Sequence, residues 1–155
     1  MSRRWAFKYA LGFVRGYDTK SEYLVHGSAV HEGKKIFYAT WDIDKAIARA
    51  KEVVEEDYES FPSIAIERQR LDKLFESWNE KYGKTEKDNY TVIENETEAE
   101  IKLANGAVLT LRRDQVLRSK QEGYIFIFDT KTTKGGIAKT ILEYEFKGQP
   151  VLYIA

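Results

Sequence analysis

From Thr91 to Leu103 the chain alternates. Thr91, Ile93, Thr97, Ala99, Ile101 and Leu103 hold the odd positions, broken by Asn95, and the even positions from 94 to 102 are charged. A period of two is that of a strand with one buried face. Asn105-Gly106 follows as a two-residue hairpin signal, and residues 108–117 form the returning strand. "SKQEG" turns the chain again, and "YIFIF" (124–128) makes a third strand. Apolar on both faces, that strand is expected to be covered on both sides.

Upstream the period is helical. Residues 3–16, "RRWAFKYALGFVRG", read as a helix, and residues 28–38, "SAVHEGKKIFY", as a second with Gly33 its weak point. The next segment is apolar at 43, 46, 47, 50, 53, 54, 58 and 61, a helical spacing with Asp42 or Asp44 as the cap. After Pro62 a fourth helix carries Ile64, Leu71, Leu74, Phe75, Trp78 and Tyr82 on one stripe, with Gly83 as its stop. The final segment, "AKTILEYEFKGQPVLYIA", fits helix or strand, and Pro150 breaks whichever element it interrupts. The expected fold class is α+β: N-terminal helices packed on a small, mainly antiparallel sheet, in one domain over residues 1–155.

Composition narrows the chemistry. With 155 residues, 43% hydrophobic and 14% aromatic, the chain is globular and has enough length for a core. It contains no cysteine, which excludes disulfides, thiolate zinc sites and cysteine-ligated iron–sulfur clusters and fits a reducing cytoplasm. No stretch approaches the roughly 20 apolar residues of a membrane span, and no signal peptide is visible. Net charge is zero. Residues 1–20 nevertheless hold Arg3, Arg4, Lys8, Arg15 and Lys20 against Asp18, while residues 52–59 are acidic. These are either solvated faces or, for the first, a basic rim that meets phosphate.

The apolar strand at 124–128 ends abruptly in Asp129-Thr130-Lys131. If Ser119–Glu122 form the preceding turn, Asp114 faces Ile127 and Asp129 is its diagonal neighbour on the same face, about 7–8 Å away. Two carboxylates at that spacing reach one hard cation, with legs of about 2.1 Å for magnesium. Lys131 shares the parity of Asp129. A metal so held binds an anionic phosphodiester and activates water, and a lysine beside it stabilises the developing charge. The same triplet also makes an ordinary ion pair at a strand end. Upstream, Gly27, Ser28 and Ala29 would let a helix start approach another backbone closely, and His31 follows one turn later, either as a structural residue or as a further ligand. Downstream, Gln149 and Tyr153 are spaced i and i+4 on one face of any helix begun near Pro150, as cap and core residue or as cleft residues.

In that order, "GSAVH", Asp114, "FDTKTT" and "QPVLY" resemble the PD-(D/E)XK nuclease superfamily, most closely its RecB-like and phage exonuclease branch. The likeness spans nearly the whole chain. It implies a restriction-endonuclease-like core and a metal-dependent DNA nuclease, an exonuclease or DNA-end-processing enzyme. It also implies magnesium or manganese on Asp114, Asp129 and His31, with Lys131, Asp129 and Asp114 catalytic. Gln149 and Tyr153 would support the site or contact DNA, as would Arg112 and Thr132 within the same motifs. The family often adds a glutamate on the first strand, for which Glu96 is available. Pairing Ala104 with Ala107, however, puts Glu96 opposite Gln115 and away from Asp114, unless a bulge near Asn95 brings it in. Leu111 and Arg113 depart from the glycine and apolar residue usual beside the acidic position. Many relatives carry an iron–sulfur cluster, which a chain without cysteine cannot hold. The chain stops at Ala155 where relatives continue the helix, so a truncated or a compact viral form is expected. Two other readings stand beside the enzyme. One is an inactive nuclease-fold module attached to DNA or to a replication or recombination protein. The other is an unrelated α+β domain, which would place Asp114 and Asp129 on opposite sheet faces.

Overall fold

The computed structural model describes residues 21–132. The helix expected at 3–16, the basic residues of 1–20, and the segment carrying Gln149 and Tyr153 lie outside the described residues. Within them, α1 (Glu22–Thr40), α2 (Ile43–Glu56), α3 (Ile64–Trp78) and the short α4 (Lys84–Asn89) precede β1 (Tyr90–Lys102), β2 (Val108–Ser119) and β3 (Ile125–Phe128). The strands form one antiparallel sheet in the order β1-β2-β3. The fold is α+β, helices first and meander after, as the two periodicities predict. No helix among the described residues is long and apolar enough to cross a membrane.

Asp42 caps α2, its side chain accepting from the backbone N–H groups of Asp44 and Lys45 at 3.1 and 3.2 Å. α2 then buries Ala46, Ala50, Val53 and Val54 against α1 and α3. Gly33 is a contact point rather than a weak point. A Cβ there would lie 2.4 Å from the Phe75 ring and 2.9 Å from the Ala46 carbonyl oxygen. Leu117 joins the same core from the sheet, with Ala29, Phe37, Leu71 and Phe75 from the helices.

Two helix boundaries differ from expectation. α1 begins at Glu22, six residues before the predicted start at 28, so Gly27, Ser28 and Ala29 sit within the helix and not at its tip. Gly83 does not end the fourth helix. A π-helical turn over Asn79–Gly83 carries the chain into α4, and Gly83 keeps right-handed helical dihedrals on its way into it. A Cβ there would run into the Asn79 side-chain oxygen and stand 3.2 Å from the Phe37 ring. The helix ends only where Tyr90 turns extended and β1 starts without a loop.

The sheet registers differ too, and the differences matter. Leu103 donates its N–H to the Ala107 carbonyl at 2.8 Å, and Gly106 to the Leu103 carbonyl at 2.9 Å. Gly106 has φ +81°, so the hairpin has a three-residue loop, 104–106, closed by a left-handed glycine. The register slips by one from the two-residue expectation, pairing Thr97 with Arg113 and Asn95 with Gln115. Glu96 therefore falls opposite Asp114, the reverse of the predicted placement. At the second hairpin Ser119 bonds across to Tyr124 at 3.0 Å, a four-residue loop at 120–123. Gln115 pairs with Phe128 and Val116 with Ile127. The ladder ends at Gln115 and Phe128, so Asp114 and Asp129 lie one residue past it, and the contact made there is from the Thr130 N–H to the Asp114 carboxylate. The slip from the predicted register is two residues, an even number, so it leaves the faces of β3 unchanged. Phe126 packs edge-on against Tyr90 with ring centres 5.0 Å apart, but Ile125 stays 54% exposed. The other three residues of β3 are only half-buried, so the double cover expected for this strand is not found.

Candidate functional site

α1 crosses the sheet so that His31 meets the middle of β1 and β2. Its Nδ1 lies 3.2 Å from Asp114 Oδ2 and 3.8 Å from Glu96 Oε1. One donor atom from each of the three residues falls within 4.8 Å of the others. Ligands with legs of about 2.1 Å stand about 3.0 Å apart when adjacent and about 4.2 Å when opposite in an octahedron. Both histidine distances fall in that interval. The imidazole nitrogen and two carboxylates thus fit a hard or borderline divalent cation.

Local backbone irregularity aims Glu96. A bulge between Val92 and Glu94 leaves Ile93 unmatched, and Glu96 itself has φ +55°, left-handed for a residue with a Cβ. Asn95 holds this stretch to the helix, its Nδ2 donating to the Lys35 carbonyl at 2.8 Å. Arg112 then grips Glu96 Oε2 through Nε at 3.0 Å and a terminal nitrogen at 2.8 Å. The other oxygen is the one beside His31. Arg112 therefore acts on the site through Glu96, and its Nε and one terminal nitrogen share a single carboxylate oxygen. Arg113, the departure from the family pattern, pairs with Glu94 at 2.7 Å.

Asp114 is buried, which opposes ionisation. The His31 hydrogen bond and the Thr130 N–H, 2.8 Å from Oδ2, outweigh that and hold the carboxyl below its ordinary range. For His31 the hydrogen bond to Asp114 is the largest effect and raises the imidazole, against the opposing cost of burial. Asp129 accepts from Lys131 Nζ at 2.7 Å, with the lysine at the mouth of the cleft. The cleft is about 710 Å³ and is also walled by Gly27, Ser28, Arg112 and Thr132. Gly27 admits Thr132: a Cβ on it would stand 3.2 Å from the threonine oxygen.

His31, Asp114, Glu96, Arg112, Lys131 and Thr132 thus share one cleft. Asp129, expected as a ligand, is not one of the three clustered donors and is joined to the cleft through Lys131. Sequence reasoning missed a neighbouring pair. Glu67 of α3 is 3% exposed and bonds His26 Nδ1 of α1, with Arg70 3.3 Å from its second oxygen. The signal was the gap in the apolar stripe between Ile64 and Leu71, where a carboxylate fills a buried-face position.

No curated protein and no solved structure matches the chain. The model of one protein family does, over residues 2–155, and with helices, meander and acidic cleft in the arrangement described, the chain belongs to the PD-(D/E)XK nuclease superfamily.

Proposed function

We propose that the protein is a divalent-metal-dependent DNA nuclease of the RecB-like and phage exonuclease branch, acting in the cytoplasm as an exonuclease or on DNA ends. The observation that carries the reading is the convergence of His31, Glu96 and Asp114 donors within 4.8 Å beside a D-x-K strand end. A magnesium or manganese ion held there would polarise a phosphate oxygen and lower the pKa of a bound water. The chain's own residues do the positioning. His31, Glu96 and Asp114 supply the donors. Thr130 fixes Asp114 and Arg112 fixes Glu96, as partners behind metal ligands commonly do. Asp129 anchors the Lys131 ammonium at 2.7 Å and is assigned as a further ligand. Lys131, at the cleft mouth, offers the positive charge that meets charge developing on the phosphate. The rigid β2–β3 pair keeps these groups in register.

The test is cleavage of end-labelled linear and closed circular DNA, single- and double-stranded, with magnesium, manganese or chelator. Metal-dependent loss of linear DNA alone, abolished in Lys131→Ala, is the expected result. Cutting of circles makes the protein an endonuclease. Absence of any cutting, with salt-sensitive DNA binding retained, would point instead to an inactive module serving replication or recombination proteins.

A further inference from the structure

We infer that the pocket between α1 and α3, beside the metal-ligand cleft, holds one nucleotide unit of the substrate, next to the scissile phosphate. The inference rests on the nuclease reading and adds a substrate subsite to it. The pocket is about 420 Å³, within the roughly 300–1,000 Å³ of small-molecule sites. Lys131 and Thr132 wall both it and the cleft, so a strand bound at one continues into the other.

Its chemistry is that of a nucleotide. Phe61 and Tyr23 present aromatic surface and Leu74 an apolar wall, which suits a stacked base whatever its identity. Arg70 stands on the same wall for a phosphate oxygen. A carboxylate as buried as Glu67 is tolerated only when paired, and here it is paired twice. Its bond to His26 Nδ1 fixes the imidazole, so Nε2 is the nitrogen left to meet a ligand, accepting from a sugar hydroxyl or a base N–H, the carboxylate–histidine arrangement used to orient functional histidines. Glu22 and Glu67 balance Arg70 and Lys131, and the wall is neutral overall when His26 is neutral. A neutral wall with aromatic surface favours a single stacked nucleotide over a length of bare polyanion.

The probe is thymidine 5′-monophosphate, titrated into metal-free protein and followed by calorimetry and by the His26 imidazole signals in NMR, with inorganic phosphate and thymidine alongside. The nucleotide should saturate and bind more tightly than either fragment, shifting His26 Nε2. His26→Asn keeps a donor towards Glu67 and removes Nε2; Arg70→Ala removes an exposed cation. Each should weaken the nucleotide roughly tenfold, and manganese binding at His31, Glu96 and Asp114 should match the parent. Affinity equal to that of inorganic phosphate, or affinity unchanged in both variants, overturns the subsite. No cleavage is read, so an inactive protein with a working pocket leaves the subsite standing, and an active one without it leaves the nuclease reading standing.

Discussion

Thr130 donates its backbone N–H to Asp114 Oδ2 at 2.8 Å, tying the D-x-K strand end to the neighbouring strand. Asp114 therefore has two separable duties, charge for a cation and an acceptor for Thr130. Asp114→Asn keeps an oxygen for Thr130 and loses the charge. Asp114→Ala loses both. Manganese affinity should fall in both variants by at least the roughly 10–100-fold seen when partners behind a metal ligand are removed. Hydrogen exchange at the Thr130 amide should quicken in Asp114→Ala only. Parent-like manganese binding in Asp114→Asn would remove Asp114 from the ligand set.

Parity made part of this site legible in the sequence. Asp114 and Lys131, both expected at one site, line the same cleft, and a two-residue slip in the β2–β3 register does not change faces. Glu96 was not legible, because a single residue in the β1–β2 loop decides its face. Asn105-Gly106 fits a two- or a three-residue hairpin equally, and only the Leu103–Ala107 bond distinguishes them. The left-handed backbone at Glu96 has no signature in a Glu side chain. Helix existence followed from apolar spacing, but Gly83 shows where local rules fail. The glycine that looked like a stop is a packing contact with the Asn79 side chain and Phe37.

The His31–Asp114 pair makes metal-free stability and metal binding depend on pH in opposite senses. His31 is raised above its unfolded value of about 6.5 by the Asp114 hydrogen bond. Its contribution is complete below that value and is lost as pH rises through the raised folded pKa. Asp114 is depressed, so its contribution is present above about 3.9 and is lost as pH falls through the depressed folded pKa. Metal-free protein should thus be most stabilised by the pair in mildly acidic buffer and lose that increment on the alkaline side. A cation needs neutral His31, so manganese affinity should rise with pH over the same range. Urea unfolding of parent and His31→Gln, with and without manganese, measures both slopes. A parent and variant with identical metal-free pH profiles would show that the pair contributes nothing.

Tyr38 and Glu86 form a buried polar pair away from the cleft. The Tyr38 hydroxyl donates to Glu86 Oε2 at 2.7 Å, and the residues are 2% and 7% exposed. Burial first, then the Glu86 hydrogen bond, pushes the phenol well above its ordinary range, so it stays protonated as a donor at every working pH. Tyr38→Phe preserves the ring contacts with Phe37 and Trp41 but strips Glu86 of that donor. Stability should drop by about 1–3 kcal/mol, the cost of an unsatisfied buried polar group. Tyr38→Phe combined with Glu86→Gln should recover part of the loss, because a neutral amide is cheaper to bury than a carboxylate. Denaturant midpoints of the three proteins decide it; a Tyr38→Phe midpoint equal to the parent's would mean that Glu86 finds another donor.

Gly33 gives a prediction of the opposite kind, in which a rule of thumb and the structure disagree in sign. Glycine inside an exposed helix is about 1 kcal/mol worse than alanine, so Gly33→Ala would ordinarily stabilise α1. Here the added methyl would sit 2.4 Å from the Phe75 ring, 2.9 Å from the Ala46 backbone oxygen and 3.1 Å from the Ala50 Cβ. Phe75 is fully buried and cannot swing out, and Ala46 and Ala50 are the residues through which α2 approaches α1. The helices must separate, and overpacking of that kind costs about 1–3 kcal/mol, more than the propensity gain returns. His31 is two residues away on the same helix, so a shift of α1 also moves the imidazole relative to Asp114 and Glu96. Gly33→Ala should therefore lower both the thermal midpoint and manganese affinity. An exposed control on the same helix, Thr40→Ala, should change neither beyond the loss of its hydroxyl's bonds to the Ile36 carbonyl and from the Asp42 N–H. A Gly33→Ala protein as stable as the parent would show that α1 and α2 are not held as closely as the structure places them.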